Sequence, residues 1–342
     1  MKYDARKRRA SLFRRDQKRR PVLPISLLVL AAIIALFSFV NPSGFFTDIN
    51  PSNVKVPPFT PTPTPPPAPT DVHGGHIVFT CTRNDVNQIC LINADGSGYK
   101  QLTNEPNNSY YPAISPDGNE IVFATNKYDN FDLYMTLRGS SDLVQLTDNI
   151  GNLFSPSFSP DGKQIAFVNR AASGPSSLWV MGSHGENPHV LYPAPNNIVA
   201  AAWSPDGANI AFAMAVDSQF TYEVFLLSVQ DPHANLRRIT HGVSGIGGSL
   251  SWSPDSRSLL IFAGPVEARE VYRLDLGTGA VTQLTFGGNN AAAAYSPDGQ
   301  AIVFNSLRNN DQADLYIMRA DGHSMRQLTN FPEPDWQPKW GQ

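Results

Sequence analysis

Short alternating runs of apolar residues, each with a Phe near its centre, recur along the chain from residue 72 onward. They are Ile77-Val78-Phe79, Ile121-Val122-Phe123, Ile165-Ala166-Phe167, Ile210-Ala211-Phe212, Leu260-Ile261-Phe262 and Ile302-Val303-Phe304. Each is followed, after a polar loop, by a second apolar run: Ile89–Ile92, Leu133–Leu137, Leu178–Met181, Val224–Leu227, Val271–Leu274 and Leu315–Met318. A turn such as Asp95-Gly96 or Asp321-Gly322 then leads into a short segment ending Gln101-Leu102-Thr103, Gln145-Leu146-Thr147, Ile239-Thr240, Gln283-Leu284-Thr285 or Gln327-Leu328-Thr329. The third copy departs, reading Val190-Leu191-Tyr192. Runs this short, bounded by turn residues, predict β-strands rather than helices.

A tetrapeptide punctuates the pattern every 43 to 49 residues. Ser115-Pro116-Asp117-Gly118 returns at 159–162, 204–207 and 296–299, with the variant Ser253-Pro254-Asp255-Ser256. Pro presets φ at the first turn position, Asp bonds nearby backbone N–H groups, and Gly takes a positive φ cheaply. Ser256 lacks that last freedom, so its turn is expected to be strained or differently shaped. An apolar or aromatic residue before the tetrapeptide marks one further strand. Four short strands per repeat of this period are the pattern of a β-propeller blade, and six copies fit into residues 72–342. The repeats begin at the turn into a second strand, His73-Gly74-Gly75-His76. They end at Gln337-Pro338-Lys339-Trp340-Gly341, which matches the first-strand positions Tyr111–Ser115. The last strand is therefore expected to complete the first blade and close the ring.

These repeats resemble those of the TolB-like six-bladed propellers, in which a Ser-Pro-Asp-Gly turn precedes an Ile-x-Phe strand and a Leu-Tyr-x-Met-x-x-Asp-Gly segment. Asp314-Leu315-Tyr316-Ile317-Met318-Arg319-Ala320-Asp321-Gly322 is close to that pattern. The resemblance covers residues 72–342 and implies an all-β fold. It does not single out a function, because related blades serve periplasmic scaffold proteins, peptidases and some lyases.

The first 71 residues read differently. Val22–Val40 is uncharged over 19 residues, 13 of them Val, Leu, Ile or Phe. As a helix it would be ~28 Å long, close to the ~30 Å hydrocarbon core of a bilayer. Ten Lys/Arg stand in residues 1–20, against Asp4 and Asp16. This bias predicts a cytoplasmic basic tail (1–21), one transmembrane helix (22–40) and export of everything beyond it to the cell envelope. A cleaved signal peptide is the alternative, against which stand the length of the apolar run and the lack of an A-x-A site. Residues 41–71 form a linker; Pro51–Thr70 holds nine prolines and should extend as a polyproline II stalk.

Charge narrows the function further. The remainder of the chain keeps 16 of the 26 basic and 27 of the 29 acidic residues, a net of −11. That excludes a nucleic-acid surface on the propeller. No G-x-S-x-G elbow is present, and the seven histidines fall mostly at turns, so neither a serine hydrolase nor a histidine metal site is expected; no cofactor or metal is implied. Cys81 and Cys90 are near each other across a hairpin, either bridged in an oxidising compartment or buried as two thiols.

The two turns within a blade share one face. The loops between second and third strands, and the connections between blades, share the other. On this loop-rich face the former carry Arg83, Lys127, Tyr128, Arg170, Tyr222 and Arg308, and the latter Tyr110, Tyr111, His241, Asp335 and Trp336. Mixed aromatic and charged residues around a funnel suit a non-catalytic binder of a protein, peptide or glycan. The alternative is a glycan-active hydrolase or lyase with paired carboxylates in the funnel; a structural module without a dedicated ligand is a third reading.

Overall fold

A computed structural model describes residues 74–342, apart from 129, 172–173, 233–235 and 310–311. The basic tail, the apolar span and the Pro-rich linker lie outside the described residues. Among the described residues no helix is long and apolar enough to cross a membrane.

The described residues form six four-stranded antiparallel sheets. Blade 1 contains β1 (His76–Arg83), β2 (Val86–Asn93) and β3 (Lys100–Gln101). Blade 2 is β4 (Ser109–Ile114), β5 (Glu120–Tyr128), β6 (Asn130–Leu137) and β7 (Val144–Gln145). Blade 3 is β8 (Asn152–Phe158), β9 (Gln164–Arg170), β10 (Ser176–Gly182) and β11 (His189–Tyr192). Blade 4 is β12 (Ile198–Trp203), β13 (Asn209–Ala215), β14 (Tyr222–Ser228) and β15 (Arg237–Arg238). Blade 5 is β16 (Ser251–Trp252), β17 (Ser258–Ala263), β18 (Glu270–Asp275) and β19 (Val281–Gln283). Blade 6 is β20 (Asn290–Tyr295), β21 (Ala301–Asn309), β22 (Gln312–Arg319) and β23 (Arg326–Gln327). The final strand β24 (Asp335–Gly341) pairs with β1 and supplies the missing first strand of blade 1. The first strands β24, β4, β8, β12, β16 and β20 touch one another in cyclic order, so the sheets make a closed six-bladed propeller.

Packing follows from this arrangement. Each sheet stacks its faces against two neighbouring blades, so the second strands are buried on both sides and read as nearly continuous apolar runs. Phe79, Phe123, Phe167, Phe212 and Phe304 are among the largest fully buried side chains. Close to the axis the space narrows, and β12 and β20 accordingly hold Ala200-Ala201-Ala202 and Ala291-Ala292-Ala293-Ala294.

The Ser-Pro-Asp-Gly turn does more than reverse the chain. In blade 2 the Ser115 hydroxyl donates to Asp117 Oδ1 at 2.5 Å, Asn119 N donates to the same oxygen at 3.1 Å, and Glu120 N donates to Ser115 Oγ at 2.9 Å. The same network recurs at Asp161, Asp206, Asp255 and Asp298. Each turn also leans on the preceding blade: a Cβ added to Gly207 would lie 3.3 Å from Pro160, and one on Gly299 would lie 3.2 Å from Pro254. Ser256 keeps the common turn shape, with φ of 59°. The strain is present, and the Ser256 hydroxyl accepts a hydrogen bond from Asp206 N of blade 4 in partial return.

The inner edge of each first strand faces the channel, where unpaired backbone groups need partners. Side chains from the adjoining blade supply several. Tyr111 N donates to Gln337 Oε1, Ala201 N to Ser155 Oγ, Trp203 N to Ser157 Oγ and Tyr295 N to Ser251 Oγ. A β-bulge interrupts most of these strands, and four blades place a left-handed non-glycine residue there: Tyr111 (φ 54°), Ser155 (53°), Ala292 (47°) and Gln337 (51°). Bulges bend a strand and re-aim its side chains.

Candidate functional site

On the loop-rich face a strip of half-buried aromatic side chains crosses from blade 2 to blade 3. Phe131 of β6 lies 5.8 Å from the Tyr110 ring, Tyr110 lies 6.2 Å from Tyr111, and Tyr111 lies 5.9 Å from Phe154 of β8. The bulge at Tyr111 makes this possible, because it allows successive residues of β4 to join one strip. The Arg170 guanidinium closes the strip, 5.2 Å from the Phe154 ring centre. Arg170 ends β9, where the strand leaves its ladder, and its Nε is buried with no hydrogen-bond acceptor. Its charge reaches two tyrosines. Burial raises Tyr111 above the ordinary phenol range and Arg170 opposes it, and the same two effects act on Tyr222 at the start of β14. Burial pushes Tyr110 up to about 12, against a hydrogen bond from Asn87 Nδ2 to its hydroxyl at 2.9 Å.

Four of the residues expected at the site, Tyr110, Tyr111, Arg170 and Tyr222, are thus brought together across three adjacent blades. Tyr110, Tyr111, Asp335 and Trp336, expected on connections between blades, stand instead within the first strands β4 and β24.

The other expected residues lie outside this strip, and most of them are engaged with neighbouring strands. Arg83 pairs with Asp335 at 3.3 Å, donates to Tyr99 Oη and lies 4.6 Å from the Phe331 ring centre, clasping β1 to β24. Asp335 is fully buried, and burial holds its carboxyl up to about 6 despite the Thr329 hydroxyl and the Arg83 charge. Lys127 pairs with Glu105 at 3.3 Å. Arg308 lies 4.9 Å from the Tyr316 ring centre and donates to Asn290 Oδ1 and Ser306 Oγ. Trp336 Nε1 donates to Thr82 Oγ1 at 3.4 Å. His241 is exposed. Tyr128 ends β5. Cys81 and Cys90 are joined by a disulfide between β1 and β2. Among the described residues no three His, Cys, Asp or Glu side chains cluster as metal ligands.

Two features escaped the reading of the sequence. Phe220 and Phe286 are 47% and 75% exposed on loops of this face. The Phe220 loop is held by Asp217, whose Oδ1 accepts from the N–H groups of Gln219 and Thr221. Position within a loop was the only available signal for these residues. The second feature is the threonine ending the fourth strand. Thr147 Oγ1 accepts from Leu133 N at 3.0 Å and donates to Asp132 Oδ1 at 2.7 Å. Thr103 with Gln88, Thr240 with Glu223 and Thr285 with Glu270 repeat the arrangement. The buried acids Asp132, Glu223 and Glu270 are therefore fastened into blades. A spacing of 15 residues in three of these four pairs, as between Asp132 and Thr147, and of 17 between Glu223 and Thr240, is the sequence signal that went unread.

Comparison with known proteins agrees with this architecture. The TolB beta propeller domain family matches over residues 64–192 and 144–290. The Tol-Pal system protein TolB of Anaeromyxobacter dehalogenans is 30% identical over 114 residues, 33% of this chain and 26% of that protein. TolB from Acinetobacter baumannii superposes with a TM-score of 0.69 at 20% identity, covering 78% of this chain and 66% of that one. An oligogalacturonate lyase in complex with manganese gives a TM-score of 0.53 at 14% identity, over 75% and 74% of the two chains. These two structural likenesses concern the fold alone. The chain spans no more than 30% of the length of the curated relatives it matches. With the family matched over more than half its residues, and with six blades closed by the final strand, this chain belongs to the TolB beta-propeller family.

Proposed function

We propose that this protein is a non-catalytic binding module held outside the cytoplasm on a single membrane span, with the Pro-rich segment as a spacer. The partner is a protein or peptide presenting a carboxylate beside apolar side chains, and the docking face is the loop-rich one. One observation carries this reading: a cation with a buried, unsatisfied N–H stands at the end of an aromatic strip. Arg170 as a whole is only half-buried, so an incoming carboxylate gains a charge-assisted hydrogen bond at its guanidinium, while rings and prolines of the partner stack along the strip. Phe220 adds exposed apolar area beside Tyr222. The likeness to a Tol-Pal system protein favours a protein partner. Anchoring rests on the uncharged Val22–Val40 run and the basic residues before it.

The likeness to a lyase raises the alternative of carboxylate catalysis on a glycan. Asp314 and Asp335 each have one carboxylate oxygen without a hydrogen-bond partner, but they are 3% and 0% exposed, and a sugar chain does not reach them.

Photo-crosslinking from position 220 in the full chain, in its native membranes, tests the proposal. Discrete crosslinked proteins are expected, weakened at least about tenfold by Arg170→Ala and unchanged by His323→Ala, an exposed position on the opposite face. Crosslinks that survive Arg170→Ala, or that arise equally from a probe at exposed Val190, would contradict it.

A further inference from the structure

At the opposite end of the axis, on the face of the Ser-Pro-Asp-Gly turns, the channel widens into a cavity of about 340 Å³. All six first strands contribute to its wall. Trp203, Trp252, Trp340, Tyr295 and Phe158 supply aromatic surface, and the turn prolines ring the mouth. Several of the polar handles of these rings are already used. Trp203 Nε1 donates to Gly207 O, Trp252 Nε1 donates to Ala202 O, and the Tyr295 hydroxyl is bonded to Ser258 Oγ.

Among the described residues lining this space, Lys339 of β24 carries the one charged side chain. Its Nζ reaches across the channel to Leu250 O at 2.8 Å. An ammonium has three donors, so that single carbonyl leaves two available. Burial alone pushes the amine down to about 8, with no acidic side chain offsetting it. A desolvated cation in an aromatic chamber is complementary to one small anion with an apolar body. The volume lies within the usual range for small-molecule sites.

We infer that this cavity is a second binding site, for a small organic monocarboxylate with an aromatic or aliphatic body, in which Lys339 holds the carboxylate and the indole walls hold the body. The site is separate from the loop-rich face and does not depend on the function assigned to it.

Phenylacetate and its neutral counterpart phenylacetamide are suitable probes, with the tryptophan fluorescence of the full chain as the readout. Phenylacetate should give a saturable change. Phenylacetamide should bind at least about tenfold more weakly, and Lys339→Met should cost phenylacetate a comparable factor. Arg170→Ala should leave phenylacetate binding unchanged. Absence of a saturable change with phenylacetate, equal binding of acid and amide, or loss of binding in Arg170→Ala would each overturn the inference. The comparison of acid with amide uses the unaltered protein, so it decides the matter even where Lys339→Met fails to fold.

Discussion

Asp335 shows how far one residue can be asked to serve closure at the expense of solvation. It begins the strand that completes blade 1, is fully buried, and pairs with Arg83. Burial raises its carboxyl from 3.8 to about 6, so the folded protein holds this proton where the unfolded chain releases it. The resulting contribution to stability is complete below about pH 4 and is lost as pH rises through about 6, a change of about 3 kcal/mol. Asp335→Asn cannot titrate. Denaturant unfolding of both proteins should therefore show the advantage of wild type over the variant shrinking from acid to neutral pH; a constant or growing advantage would contradict this account. Ser256 teaches a related lesson. The absence of Gly at that turn announced strain in the sequence, but the bond from Asp206 N came from another blade and lay beyond any local reading. Arg83, Lys127, Arg308 and Asp335 looked like funnel residues because charge on a loop looks alike whether its partner is a ligand or a neighbouring strand.

At the scale of the strand and its turns, much was legible. The period of the Ser-Pro-Asp-Gly turn and the Ile-x-Phe runs places every second and third strand correctly, because middle strands buried on both faces leave a strong apolar signal. First strands were harder. β16 is only two residues long, after a glycine-rich segment, and the bulge in β4 moves Tyr110 and Tyr111 from a supposed connection into the wall of the site. Bulges are set by contacts with the next blade and leave no fixed pattern in sequence. In every blade but the third, the fourth strand runs into a threonine whose role is to fasten the blade. Thr147→Val removes the acceptor for Leu133 N and the donor to Asp132, both buried, so it should destabilise the protein by about 1–3 kcal/mol in a chemical melt. An exposed change such as Thr282→Val, in β19, should by contrast fall within about 0.5 kcal/mol of wild type. Equal effects of the two would show that the threonine fastening contributes nothing.

At the largest scale, the described residues form a ring whose two candidate sites exist only when it is closed. Arg170, Tyr111 and Tyr222 come from three blades, and the Lys339 cavity draws on all six. Closure depends on β24, which joins the end of the chain to β1 and places Lys339 in the channel and Trp340 in the core shared by blades 1 and 6. Removing residues 336–342 should therefore uncover the inner edge of β1 and disturb far more than one blade. The most direct measurement is thermal unfolding of the full chain with and without those seven residues, followed by circular dichroism. The closed ring predicts that the truncated protein loses the single cooperative transition of the intact one and melts at markedly lower temperature. An unchanged transition would contradict the ring, and with it both binding sites.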